Sequence, residues 1–236
     1  VYFVLTELHH NYAHIAADSL KAMIKSINLW WTSLVDDVNN FVTTCATCQL
    51  KSITSGRVFG KLGKRPRMGK VQEIAVDFSH LPESDEHDGV IGIIDRATRY
   101  VMWIPANQTW TSNQIYSAIV SHWCTHFGFP AIIRSDNGSV FKSNEWNTLW
   151  ASVGTTVSHS TEYHPQANGI IERSFRTLKD RLGALYQDDA RISWPDIIGV
   201  VQGAHNGLTR ESLGGLSAAE AMFGFRPRWH RIPVVP

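Results

Sequence analysis

Cysteine is scarce in this chain, with three residues among 236. So small and odd a number excludes a disulfide-framed scaffold and fits a reducing compartment. Long hydrophobic runs are missing too. No apolar stretch reaches the roughly 18–20 residues that a bilayer-spanning helix needs, so no membrane partner is expected. Internal repeats and low-complexity tracts are also lacking, which removes the solenoid and linker-like classes. The formal net charge is only +1 and does not by itself select a partner. What remains is a chain with 43% hydrophobic and 18% charged residues. That composition supports a packed core and argues against global disorder. The length suits one large domain or two small ones. The first residue, Val1, lies in an apolar stretch, so the expectation is a piece of a longer chain, with a signal peptide neither claimed nor excluded.

Acidic residues are absent from 49–72, where seven basic ones occur: Lys51, Arg57, Lys61, Lys64, Arg65, Arg67 and Lys70. The rest of the chain keeps 15 of the 22 basic residues against all 21 acidic ones. A basic, glycine-rich segment on an otherwise acidic protein suits a polyanion partner. Charge alone favours a solvated linker.

The patterning divides the chain into a helical head over 1–48, a basic linker over 49–70 and a main domain over 71–236. In the head, Asp18 reads as an N-cap ahead of Leu20, Ile24 and Ile27, and a second helix is expected over about 33–44. The main domain opens with three strand candidates, Val71–Phe78, Gly89–Asp95 and Arg99–Ile104. A helix over about 112–127 follows, with Ile115, Ile119, Trp123 and Phe127 spaced by four and Gly128 as its stop. Then come a strand at Ala131–Arg134, a helix over 143–153, a strand near 155–159 and a long helix over 168–187. Helices near 194–207 and 217–223 close the chain. This order is that of a mixed α/β domain. Cys124 lies in an apolar helical stretch and reads as a core residue.

Two constellations carry chemistry. Cys45 and Cys48 form a C-x-x-C pair, 30 residues lie between His14 and Cys45, and four lie between His9 and His14. Two imidazoles and two thiolates suit one tetrahedral, structural Zn²⁺, which would also help so small a head to fold. His10 could take the place of His9.

The second constellation is acidic. Asp77 lies near the end of an apolar strand, Asp136 follows another strand, and Glu172 opens the long helix. A carboxylate in such a strand is costly unless paired or metal-bound. Two of the acids also have an ordinary reading, Asp136 as a turn former in Asp-Asn-Gly and Glu172 as a surface charge beside Arg176, whereas Asp77 is the hardest to explain that way. Three convergent carboxylates without thiols suit Mg²⁺ or Mn²⁺, and two such ions can clamp the attacking and leaving oxygens of a phosphoryl displacement. Arg176 and Lys179 share the helix face of Glu172 and could hold phosphates, whereas Arg173 and Arg181 read as ordinary surface charges.

The acids have 58 and then 35 residues between them. This spacing resembles the D,D-35-E arrangement of retroviral and retrotransposon integrases. The words around the acids are similar as well: Val76-Asp77-Phe78, Ser135-Asp136-Asn137-Gly138 and His164-Pro165-Gln166-Ala167-Asn168-Gly169 leading to Glu172-Arg173. The last phrase looks especially like gypsy-type retrotransposon integrases. The upstream His and Cys pairs resemble that family's zinc head, and Ser217–Gly224 with Arg226-Pro227 resembles the segment closing its core. The resemblance implies a ribonuclease H-like catalytic core behind an all-α zinc-binding domain. It implies metal-dependent DNA 3′-end processing and strand transfer, with Asp77, Asp136 and Glu172 holding two Mg²⁺ or Mn²⁺ ions. Gln166, Asn168, Arg176, Lys179, Lys64, Arg65 and Arg67 would contact DNA, while His164, Pro165 and Gly169 shape the loop. Implied partners are double-stranded DNA, further copies of the chain as a dimer or tetramer, and a parent polyprotein. The implied location is the nucleus, with the cytoplasm, in a pre-integration particle, as the alternative. Alternatives are a domesticated, silent DNA- or chromatin-binding relative and a nuclease acting on RNA–DNA hybrids.

The chain departs from the family's pattern in the head. Ala13 and Ala16 flank His14 where glycine is usual, and Trp30-Trp31-Thr32 replaces a Trp-Pro pair; these aromatics are core candidates. The chain ends soon after Pro227, which leads to the expectation of no C-terminal DNA-binding module.

Overall fold

Three short helices open the computed structural model, which describes residues 1–45, 47–48, 68–159, 169–188 and 193–227. They are α1 (Tyr2–Asn11), α2 (Ala17–Ser26) and α3 (Leu34–Thr44). Leu5 and Leu8 of α1, Leu20 and Ile24 of α2, and Leu34 and Val38 of α3 pack into one small core. Their spacings of three and four place each pair on one helix face. Leu208, from the far end of the main domain, belongs to the same cluster. Arg226 adds a polar tie, its guanidinium donating to the Ser26 hydroxyl at 2.9 Å.

Two expectations for the head change. Asp18 is not the N-cap of α2; Ala16 holds that position and makes no side-chain bond. The chain turns late, through Ala13 and His14, both with φ above +50°. Asp18 therefore falls inside the first turn, where it still meets the positive end of the helix and pairs with Lys21 at 2.7 Å. Trp30 is not a core residue but 72% exposed. Trp31 is half-buried, and its ring N–H donates to Asp37 Oδ2 at 2.7 Å.

The main domain is built on five strands: β1 (Glu73–Ser84), β2 (His87–Asp95), β3 (Val101–Ala106), β4 (Ile132–Ser135) and β5 (Thr156–His159). Their order across the sheet is β3-β2-β1-β4-β5. The first three form an antiparallel meander, and β4 and β5 run parallel to β1. β1 extends to Ser84, well beyond the apolar run, so Asp77 sits within the strand rather than near its end.

Helices cover both faces. On one lie α4 (Ser112–Ile119), α5 (Thr125–Phe127), α6 (Ser139–Lys142), α7 (Asn144–Ser152) and the late α10 (Ala218–Phe223). The expected single helix over 112–127 is α4 and α5 joined by a π turn, Val120–Cys124, and it stops at Gly128 with φ +83°. Trp123 and Cys124 are both buried in that widened turn. Ile74, Val76, Ile91 and Ile93 meet Trp123, Trp146 and Trp150 there. The opposite face belongs to α8 (Gly169–Asp188) and α9 (Trp194–Gly207). Ala75, Val90 and Ile94 pack on Ile171, Phe175 and Leu178 of α8 and Ile198 of α9. Odd and even strand positions thus feed separate cores, as a pleated sheet covered on both sides requires. α9 also covers the sheet's edge: Asn206 bonds both ways with the Val101 backbone at 2.9 and 2.7 Å, and Gln202 accepts from Trp103 N–H at 2.7 Å. Such pairing removes an exposed strand edge.

Candidate metal centre and active site

His9, His14, Cys45 and Cys48 come together from α1, the turn after it and the end of α3, with one ligand atom of each within 4.8 Å of all the others. His9 Nε2 lies 3.2 Å from His14 Nδ1 and 3.3 Å from Cys48 Sγ. His14 Nδ1 lies 3.4 Å from Cys45 Sγ and 3.9 Å from Cys48 Sγ. A tetrahedron with metal–nitrogen near 2.0 Å and metal–sulfur near 2.3 Å has edges of roughly 3.3–3.8 Å. The four donors therefore fit one Zn²⁺, with nitrogen and sulfur chemistry to match. The ambiguity between neighbouring histidines resolves to His9, which is fully buried, whereas His10 is exposed. The left-handed backbone at Ala13 and His14 folds the chain back, and the His14 N–H bonds to the His9 carbonyl at 2.8 Å. That return brings the second imidazole beside the first.

The acidic site sits on the α8 side of the sheet. Asp77 has the parity of Ala75, which packs on α8, so its side chain leaves β1 on that face. Its register partner on β2 is Gly92. A β-carbon on Gly92 would stand 2.6 Å from the Phe175 ring, so glycine there permits the close approach of α8. Glu172, exposed in the first turn of α8, precedes Phe175 by three residues. Asp136 follows β4, the parallel neighbour of β1, and is half-buried. The His159 ring, at the end of β5, lies 3.4 Å from the Asp136 carbonyl oxygen.

Burial pushes the Asp77 carboxyl up to about 7, and the charges of Asp136 and Glu172 push the same way; a bond from the Phe78 N–H opposes them. The three acids therefore share an electrostatic neighbourhood. They are not drawn as close as the four zinc donors, which form the metal-holding group found among the described residues. Asp77 Oδ1 accepts from Phe78 N–H at 2.8 Å, and Asp136 Oδ1 accepts from Gly138 N–H at 2.9 Å. An all-oxygen donor set with one carboxyl made costly to ionise suits a hard divalent cation.

The remaining expected residues divide. Arg176 and Lys179 are exposed on α8, and no ion pair joins Arg176 to Glu172. Lys64, Arg65, Arg67, His164, Pro165, Gln166 and Asn168 lie outside the described residues. Arg181 is not a surface charge: it is 6% exposed, wedged against α9 with its guanidinium toward the Val201 carbonyl, because α9 crosses that turn of α8. Sequence reasoning also missed Glu73, nine-tenths buried in β1 and ion-paired with Arg96 and Arg134. It missed Gly92 too, although a lone glycine in Val90-Ile91-Gly92-Ile93-Ile94 is a signal of close approach.

The head and the acid-bearing sheet define a class: a zinc-binding helical unit ahead of a mixed five-stranded α/β core. Comparisons with known proteins agree. The family model for the integrase zinc-binding domain matches residues 3–54, and that for the TnsB C-terminal domain matches residues 106–187. The Tf2-3 transposon polyprotein of Schizosaccharomyces pombe is 25% identical over 178 residues, which are 75% of this chain and 13% of that protein. The chain thus spans about an eighth of the curated relatives it matches. A chain of the simian T-cell lymphotropic virus intasome, solved in complex with the PP2A regulatory subunit B56 gamma, superposes with a TM-score of 0.60 at 18% identity, covering 98% of this chain and 78% of that one. The HTLV-2 integrase catalytic core, solved with magnesium, gives 0.55 at 18% identity over 66% of this chain and 99% of that one. The fold is that of the ribonuclease H-like integrase core preceded by a helical H2C2 zinc domain, and the chain is similar to integrases and to retrotransposon polyproteins.

Proposed function

We propose that this chain is the zinc-binding and catalytic portion of a retrotransposon integrase, which trims element DNA at its 3′ ends and joins them to target DNA. The observation that carries the reading is the Asp77 carboxyl, pushed up to about 7 by burial and by Asp136 and Glu172. A fold keeps such a cluster at a cost in stability unless cations offset it. Asp77, Asp136 and Glu172 would hold Mg²⁺ or Mn²⁺, which when bound supplies Lewis-acid stabilisation of phosphoryl oxygens. The residues themselves fix where such cations would sit: Asp77 from a rigid strand, Asp136 from the adjoining strand end, and Glu172 from α8, held close by Gly92. Arg176 and Lys179 would grip the DNA backbone along α8, with Gln166, Asn168, Lys64, Arg65 and Arg67 as further DNA contacts. The division into a head over 1–48, a basic linker over 49–70 and a core over 71–236 belongs to this reading, as do assembly of several copies on DNA ends and action in the nucleus.

The test is strand transfer with a labelled donor duplex and Mg²⁺ or Mn²⁺. Joined product is expected from the parent chain and none from Asp136→Asn. DNA binding without product would support a silent, integrase-like binding protein instead. Product from Asp136→Asn at the parent level would end the assignment of that acid.

A further inference from the structure

A pocket of about 410 Å³ opens beside α8, and none of the three acids lines it. Its wall carries Arg99 from the turn between β2 and β3, Arg173 and Arg176 from α8, His205 from α9, and Arg210 and Ser212 from the segment after α9. Among the described residues no acid lines it.

Its buried donors exceed its acceptors. Arg99 Nη1 and Arg210 Nε are buried with no hydrogen-bond partner. His205 is 5% exposed, and its Nε2 lies 2.7 Å from Arg210 Nη2. A guanidinium only donates, so Nε2 accepts and the proton of the neutral ring sits on Nδ1. Nδ1 is also buried and unpartnered. Three residues lining one cavity therefore each hold a buried N–H without an acceptor, a state that native structures rarely tolerate without a water or an ion.

Like charges crowd the same place. Burial lowers the Arg99 guanidinium, Arg96 and Arg173 lower it further, and Asp95 opposes them. The Asp95 carboxylate is already engaged, accepting from the Val71 N–H at 2.8 Å, the Thr98 N–H at 2.7 Å and the Thr98 hydroxyl at 2.6 Å. Burial and then Arg99 lower Arg210, and burial followed by Arg210 and Arg181 holds His205 neutral.

We propose that this pocket binds a phosphate group, with Arg99, Arg210 and His205 as buried donors and the exposed Arg173 and Arg176 beside them. Terminal phosphates and polyphosphates offer more oxygens and more charge than a carboxylate, and the tetrahedral oxygens of any phosphate can meet guanidinium donors from several directions. The volume leaves room for a chain of phosphates or for a nucleic-acid phosphodiester with its sugar. The site does not depend on strand-transfer activity, because none of the three acids lines it.

The test uses the zinc-loaded chain without added Mg²⁺ or Mn²⁺, titrated with tripolyphosphate in a calorimeter. Arg99→Gln and Arg173→Gln are expected to weaken binding about tenfold each, as loss of a charge-assisted bond does. Arg210→Gln removes bonds to His205 and is informative only if its circular dichroism matches the parent. Arg99 Nη1 makes no bond in the fold and Arg173 is exposed, so those two variants keep the test decisive. Lys25→Gln, exposed on α2, should bind like the parent. Absence of binding at millimolar tripolyphosphate, or parent-like binding by both Arg99→Gln and Arg173→Gln, overturns the proposal. A short DNA duplex that displaces tripolyphosphate identifies the occupant as backbone phosphodiester; failure to displace it identifies a free phosphate-bearing anion.

Discussion

The Phe175 ring occupies the space that a β-carbon on Gly92 would take, 2.6 Å from its ring atoms. Gly92 faces Asp77 across the β1–β2 ladder, and Phe175 follows Glu172 by three residues on α8. That contact lets α8, which carries Glu172, approach the strand pair that carries Asp77. Gly92→Ala should force the helix or the buried ring to shift, costing about 1–3 kcal/mol. Denaturant melts measure the stability loss, and strand transfer should fall by more than the unfolded fraction accounts for. A variant with parent stability and activity would show that α8 can retreat without consequence.

Removal of zinc should unfold the head. The four donors fit one ion, so chelation should release about one zinc per chain, with loss of the ellipticity contributed by α1, α2 and α3. Cys48→Ser should weaken zinc retention, read by elemental analysis after dialysis. Unchanged helicity with no metal detected would contradict a structural zinc.

The Asp77 carboxyl sets a pH dependence. Its ordinary value is 3.8 and its folded value about 7. Below 3.8 both folded and unfolded chains hold the proton, and Asp77 contributes no penalty. Between 3.8 and 7 the unfolded chain has released the proton that the fold retains, so stability falls as pH rises. Above 7 the penalty is complete. In metal-free protein, Asp77→Asn should stabilise the fold at pH 8 by an amount on the order of a few kcal/mol, read as a higher melting temperature, and scarcely at pH 4. Mg²⁺ or Mn²⁺ should stabilise the parent more than the variant. Parallel melting curves for the two proteins across that range would remove the argument for a strained carboxyl.

Ala13 is buried with φ +53°, a backbone region that disfavours a β-carbon. Ala13→Gly should relax the turn that returns His14 to His9, stabilising the head by about 1 kcal/mol. Thermal melts of the zinc-loaded protein check the sign. A lower melting temperature would mean that the packing of the alanine methyl outweighs the strain.

Much of this was readable from residue order. The zinc donors are local in type and spacing, and the acids announce themselves by their surroundings. The choice between His9 and His10 was legible too, had helix phase been applied: His9 follows Leu5 by four and so shares its buried face. Other features depend on which elements meet in space. Arg181 looks like any helix-surface charge until α9 crosses it. Glu73 looks like a strand-end acid until Arg134 arrives from β4 and Arg96 from the turn after β2. The cationic pocket joins three distant stretches, and no window of sequence displays them together.

Leu208 comes from the segment after α9 yet packs among the side chains of α1, α2 and α3. Thermodynamic communication between the two halves follows. When the ion leaves and the head opens, Leu208 loses its apolar neighbours, and the adjoining end of α9 loses a support. The sheet-bearing half should therefore register the metal content of a distant site as a lower melting point and faster amide exchange in α9.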